Sequence, residues 1–362
     1  MSCAINCLYN GTCSPNNTCI CPPCFIGAAC EISVNVIKFS LTFAMYWDIE
    51  QTSIESNFNI PKFAYTFTIA FMLLIALVNN IACLQTFFLH DIRLTNCGIF
   101  QILYCLTGLI TILGMQLRML TMLEFDSLTQ AYSYRYIACN IIPVIVIITS
   151  DTCMWLSALL AIEFVLLECF NLNVYRSRWF SIISSILCFL LVGGSHLHEI
   201  IIRRLLPDPY QPSSYTCTFI YPLPLDIIDK IFRTSHIIIP CSIHFITSIC
   251  ILTSMTRRIL LVYSRHDYFQ VFINECIRRK HFFIPPLFII LSNFPHLILH
   301  LKDLCEDVRN TTLLRIHIAL NILVYLPPSI TFFIYIYPSK IYMYKFKKTF
   351  LGRWFKQIFT TS

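Results

Sequence analysis

Long apolar stretches separated by short polar ones recur along the chain, at about 63–89, 97–120, 137–163, 180–202, 229–256, 282–301 and 313–338. Each holds twenty or more residues. At about 1.5 Å of rise per residue, that is enough for a helix to cross a hydrocarbon core of about 30 Å. The pattern therefore predicts seven transmembrane helices, with the two ends of the chain on opposite sides of the bilayer. Residues 139–164, CNIIPVIVIITSDTCMWLSALLAIEF, are nearly all apolar, with Asp151 in the middle and Glu163 near the end. An acid at mid-membrane is a functional candidate; the plainer alternative is a packing hydrogen bond to a Ser or Thr of the fourth or fifth helix.

Composition agrees with the pattern. The chain is 57% hydrophobic and only 12% charged, with mean hydropathy +0.68. Soluble chains carry about 25% charged residues, so membrane lipid is the expected surrounding. The net charge of +7 implies basic loops facing anionic lipid and does not call for nucleic acid. Of the 26 Lys and Arg, 15 fall in the 90–96, 169–178 and 257–280 loops and the tail, and 11 on the other side. The positive-inside rule makes those loops cytoplasmic, which leaves the N-terminus extracellular in a multi-pass protein of the plasma membrane.

Seven of the nineteen cysteines lie in the first thirty residues. About thirty residues cannot bury a core, so such a segment needs disulfides or a metal. It contains no histidine, and the sequons at Asn10 and Asn16 suit a secreted segment better than a zinc knuckle. A third sequon, Asn310, falls in the last outer loop. The spacing C-x3-C-x5-C-x5-C-x-C-x8-C, ending CxCPPxxxGxxC, resembles an EGF-like module. The resemblance implies the pairs Cys3–Cys13, Cys7–Cys19 and Cys21–Cys30. Cys24 stands where that family has Gly; counting outer cysteines pairs it with Cys305, or else Cys305 is simply buried at a helix end. Met1-Ser2-Cys3 has no leader character, so either the first membrane helix translocates this tail or the chain lacks its true start.

Several landmarks recur in order along the apolar segments. They are Asn80 after Val78-Asn79, Arg93-Leu94-Thr95-Asn96, Cys139, Ala161-Ile162-Glu163, Pro240, Pro295, and Tyr337-Pro338 followed by Tyr342. Together they resemble the rhodopsin-like G-protein-coupled receptors. The resemblance implies a Cys139–Cys217 bridge over a ligand pocket. It also implies a switch built on Asn80, Glu163, Pro240, Pro295, Pro338 and Tyr342. Candidate pocket residues are Asp151, Asn293, His296, His300 and His317. His296 and His300, four apart, share a face near the outer mouth and could contact a ligand or respond to pH; interface histidines with no partner are the plainer reading. Three family residues are replaced: Phe164 stands for the Arg after the acid, Leu106 for the sodium-site Asp, and Asn293 for the Trp ahead of Pro295. Val146 stands where amine receptors have Asp, which disfavours an amine ligand. His196 and His198, two apart, point to opposite sides of a helix and read as interface residues.

The expected architecture is an all-α membrane protein: an EGF-like module (1–31), a tether (32–62), a seven-helix bundle (63–338) and an amphipathic eighth helix with the tail (339–362). The expected function is a receptor that passes an extracellular signal, from a peptide or protein ligand, to a heterotrimeric G protein. The competing expectation is a non-signalling adhesion protein binding through its cysteine-rich end. No HExxH, Gly-rich phosphate loop or paired intramembrane carboxylates occur, so neither enzyme activity nor a cofactor is expected.

Overall fold

The structure is a computed structural model and describes residues 7, 11–14, 18–22, 25–26, 28–30, 32–33, 41–55, 60–122, 131–170, 178–207, 215–219, 223–262, 268–301 and 311–360. Cys3, Cys24, Cys305, Asn10, Asn16 and Asn310 lie outside the described residues, as does the side chain of His300.

Apolar sequence becomes helix because a backbone in lipid must satisfy its own polar groups. Among the described residues, six helices are long and apolar enough to cross a membrane. They are α2 (Ile60–Phe87), α3 (Asn96–Met122), α4–α5 (Tyr132–Asn140 and Ile142–Phe170), α6 (Arg178–Ile202), α7 (Leu223–Val262) and α9 (Ile284–Leu301). Before them comes α1 (Leu41–Glu55), and α8 (Tyr268–Arg278) lies between α7 and α9.

The apolar stretch 313–338 is not one helix. It divides into α10 (Thr311–Val324), α11 (Leu326–Ser329) and a π-helical turn, Phe332–Ile336. Pro327 and Pro328 lack the N–H groups that a continuous helix would need. The span as a whole has the expected length, but its longest regular piece is 14 residues. The tail follows as α12 (Lys340–Phe346) and α13 (Phe350–Thr360). Trp354 and Phe350 are exposed on α13, in keeping with an amphipathic helix.

Helix α5 is the centre of the bundle, packing against α3, α7 and α6. Gly114 allows the α3–α5 approach: a Cβ there would stand 2.6 Å from Cγ2 of Val146. One apolar core lies between α2, α3, α5 and the 332–336 turn, with Phe87, Phe100, Leu156 and Ile334 at its heart. A second joins α1 to α2, α3 and α10.

The cysteine-rich end forms two short antiparallel pairs, β1 (Thr12–Cys13) with β2 (Cys19–Ile20) and β3 (Phe25–Ile26) with β4 (Ile32–Ser33). Cys7 is bonded to Cys19 and Cys21 to Cys30, and Cys13 is also disulfide-bonded. A third hairpin pairs β5 (Arg203–Pro207) with β6 (Tyr215–Phe219). Cys217 in β6 is bonded to Cys139 in α4, with Cα atoms 5.5 Å apart.

Residues 32–62 differ most from expectation. The segment read as a tether holds α1, whose Leu41, Ala44 and Met45 are buried. Its apolar residues are too few to span, but they recur at i, i+3 and i+4, which makes one sticky face.

Candidate functional site

Asp151 faces the bundle, and its partner is a histidine where a Ser or Thr was the bland expectation. Its Oδ2 lies 2.9 Å from Nε2 of His196 on α6. The other ring nitrogen, Nδ1, is 3.0 Å from Oε1 of Glu199, one turn further along the same helix. Glu199 also accepts from Arg203 (2.6 Å) and from Arg233 of α7 (3.0 Å). Arg233 in turn donates to Asp229 (2.8 Å), whose other oxygen meets His198 at 3.1 Å. Three helices are thus joined by one chain of charged groups. His196, Glu199 and Arg203 are buried, and buried charges persist when paired and hydrogen-bonded.

Proton positions follow from partners. Glu199 accepts from two guanidinium groups, so it is a carboxylate and the bond to His196 Nδ1 is donated by the ring. Asp151 lies at the opposite nitrogen. A carboxylate at each nitrogen is satisfied by a ring carrying both protons, which then links α5 to α6. Beside it stands His236 of α7, its ring centroid 5.2 Å from that of His196. Trp155 Nε1 donates to His236 Nδ1 at 2.9 Å, and His236 Nε2 is 2.7 Å from Ser195 Oγ. Ser195 already donates to the Val192 carbonyl, so His236 donates to Ser195 from Nε2.

Asp151, His196 and His236 present ligand atoms within 4.8 Å of one another, a donor set of the kind that transition metals take. Every ring nitrogen of the pair already has a hydrogen-bond partner. A metal here would have to break one bond at each histidine, so the arrangement reads as a hydrogen-bond relay.

The other candidates fall into separate places. His296 Nε2 is 3.2 Å from Asn321 Oδ1, and His317 Nε2 is 3.1 Å from Asn321 Nδ2, so α9 and α10 meet through one amide. Asn293 donates to the Ile289 carbonyl of its own helix at 2.8 Å. His198 and His196 turn to different partners, as their two-residue spacing predicts.

At the opposite end of α5, Glu163 is buried and accepts from Asn96 Nδ2 at 3.2 Å; Asn96 Oδ1 accepts from Ser181 at 3.1 Å. Phe164 packs edge-on to Phe282, with centroids 5.0 Å apart. Both rings line a small cleft with Ser157, Tyr335 and His244. Ser157 and Tyr335 share a 2.7 Å bond. His244 is buried, and neither of its nitrogens has a partner among the described residues.

Asn80 connects the first long helix to the broken span, donating to the Pro328 carbonyl (2.8 Å) and accepting from Thr331 (3.1 Å). Pro240 and Pro295 sit inside α7 and α9. Pro338 is buried. Ser339 caps α12 by accepting from the backbone N–H of Tyr342, and the Tyr342 ring packs against Phe87. Burial pushes the Tyr342 phenol well above its usual value. Leu106 is exposed, away from these contacts.

Sequence reasoning did not single out Glu199, Arg203, Asp229, Arg233 or His236. A signal was present: Glu199/Arg203 and Asp229/Arg233 are i, i+4 acid–base pairs at the ends of apolar segments. No known family and no curated protein matches this chain.

Proposed function

We propose that the chain is a seven-helix membrane receptor of the rhodopsin-like kind, with 313–338 as its seventh crossing and an EGF-like module outside. It takes a peptide or protein signal at the plasma membrane and passes it to a heterotrimeric G protein. The observation that carries the reading is the relay Asp151–His196–Glu199–Arg233, buried at His196 and Glu199 and partly exposed at its two ends, which ties α5, α6 and α7 together on the side of the bundle where Cys139–Cys217 pins a hairpin. Such a relay gives the bundle a discrete arrangement that a ligand can favour or break, and a ligand acts only through a difference in affinity between two arrangements. The two disulfides Cys7–Cys19 and Cys21–Cys30 and the paired short strands support the EGF-like reading.

The adhesion reading is favoured by one observation, the Phe164–Phe282 contact. At the position where the related family presents an Arg, this chain presents a ring that is already packed. A second-messenger assay in cells separates the two readings, using the natural chain, Asp151→Asn and Phe164→Arg. The receptor reading expects altered basal output in Asp151→Asn and increased output in Phe164→Arg. No output from any of the three, at equal surface amounts, overturns it.

A further inference from the structure

Helix α1 is seated in the bundle as a ligand would be. Leu41, Ala44, Met45 and Asp48 lie at i, i+3, i+4 and i+7, one above another on a single face. All four are buried, Asp48 completely. The apolar three pack against Ile69 and Met72 of α2, Met115 and Met119 of α3, and Leu314 and Ile318 of α10.

A carboxylate is costly to bury unless it is paired, and Asp48 is. Arg315 Nε of α10 lies 3.1 Å from Oδ1 and 3.3 Å from Oδ2, and the Tyr65 hydroxyl of α2 donates to Oδ2 at 2.6 Å. The receptor side of this contact is asymmetric. Asp48 is fully buried, whereas the Arg315 side chain is 54% exposed. Solvent, or another carboxylate, therefore reaches the basic partner while the helix is in place. The wall that receives α1 is rich in methionine, with Met72, Met115 and Met119. Methionine is unbranched and polarisable, and surfaces built from it accept more than one helix sequence. Lift α1 away and what remains is an apolar cleft with one guanidinium and one phenol at its rim.

We infer that the cleft between α2, α3 and α10 is a binding site for a helical peptide that presents apolar residues and one carboxylate on a single face, and that Leu41–Glu55, seated through Asp48, is the chain's own occupant. Only four residues separate Glu55 from Ile60, so the occupant is held at an effective concentration of about millimolar. A free peptide meets a site already filled. A partner that grips the cysteine-rich end, joined to α1 through residues 34–40, has the shortest route to emptying it. What release does to output rests on the receptor reading; occupancy does not, and the test reads occupancy alone.

The probe is a fluorescent synthetic peptide with the sequence of Leu41–Glu55, added to the full chain in detergent micelles. The natural chain excludes it. Asp48→Lys repels its own helix from Arg315 and binds the peptide about 100-fold more tightly, the gain expected when a tethered competitor is removed. Arg315→Glu does not bind it. The double variant exchanges the charges, re-seats its own helix and excludes the peptide again. Equal binding by all four chains overturns the inference, as does no binding by an Asp48→Lys chain that reaches the membrane in natural amounts. Should Asp48→Lys fail to fold, a protease site placed between Glu55 and Ile60 keeps every native contact. After cleavage, excess labelled peptide takes the place of α1; no uptake after complete cleavage overturns the inference equally.

Discussion

His196 Nε2 stands 2.9 Å from Asp151 Oδ2 across the α5–α6 boundary, while Glu199 holds the opposite ring nitrogen. Like Arg233, which meets Glu199 and Asp229, the His196 ring bridges two acids at once. Replacing His196 by Leu leaves Asp151 without its partner. Removing one member of a buried pair costs about 3–5 kcal/mol. The expected result is a large fall in surface yield and in thermal half-life in detergent. Asp151→Asn, which keeps its shape and a polar atom near His196, should lower both by much less.

The Glu199–Arg203 contact makes a sharper test of pairing. Arg203→Met alone leaves Glu199 with the more exposed Arg233 and His196 as partners, and should destabilise by about 3 kcal/mol. Glu199→Leu with Arg203→Met also takes the acceptor from His196 and Arg233, so the double variant should be less stable than Arg203→Met alone, but by less than the sum of the two single losses. Thermal unfolding of Arg203→Met, Glu199→Leu and the double variant side by side decides; strictly additive losses would mean the pair is not acting as a pair.

Gly114 should tolerate nothing larger. Leu at this position would drive into Val146, whose methyl already stands 2.6 Å from where a Cβ would be, and overpacking costs about 1–3 kcal/mol. The expected readout is reduced expression, with Gly114→Leu rescued in part by Val146→Ala. Absence of any rescue would place the clash elsewhere.

The tail carries a pH-dependent contact. Lys345 of α12 binds Asp91, in the turn after α2, and holds its carboxyl below the usual carboxylate range. A depressed acid contributes when it is ionised, so the docking is complete at neutral pH. It is lost as pH falls through the depressed folded-state value. Both groups reach solvent, so salt should weaken the contact as acid does. Limited proteolysis within α12 and α13 should accelerate in acid and in high salt for the natural chain, and should already be fast at neutral pH in Asp91→Asn.

The apolar segments were legible because each rests on a local quantity, the length of an apolar run; the bridges Cys7–Cys19, Cys21–Cys30 and Cys139–Cys217 were reached only through what the two resemblances imply. The Asp151–His196 bond was legible in neither way. It joins residues 45 apart, and no pattern within one helix says which face of another it will meet. Helix α1 was missed for a different reason. Judged by length it could not span, and its i, i+3, i+4, i+7 face, ending on an acid, is not an apolar stripe until Arg315 neutralises Asp48. The division of 313–338 was written in Pro327 and Pro328, yet hydropathy alone is blind to the backbone donors that proline lacks. Of the pocket candidates, Asn293 donates to its own helix while His296 and His317 meet at Asn321, a pairing between helices that no spacing within one helix reveals.

Asn80 sets a condition on assembly. The Pro328 carbonyl takes its side-chain donors from Asn80, on the first long helix, and from Thr331. Thr331 can serve the carbonyl from within the broken segment, whereas the Asn80 amide finds Pro328 and Thr331 only when the two elements are side by side, and in lipid a polar group without partners is expensive. The last apolar stretch to be synthesised is thereby made dependent on one of the first. A chain whose helices had gathered in the wrong order would leave the Asn80 amide without its two partners across the bundle, so the break ties closure to the arrival of the first long helix.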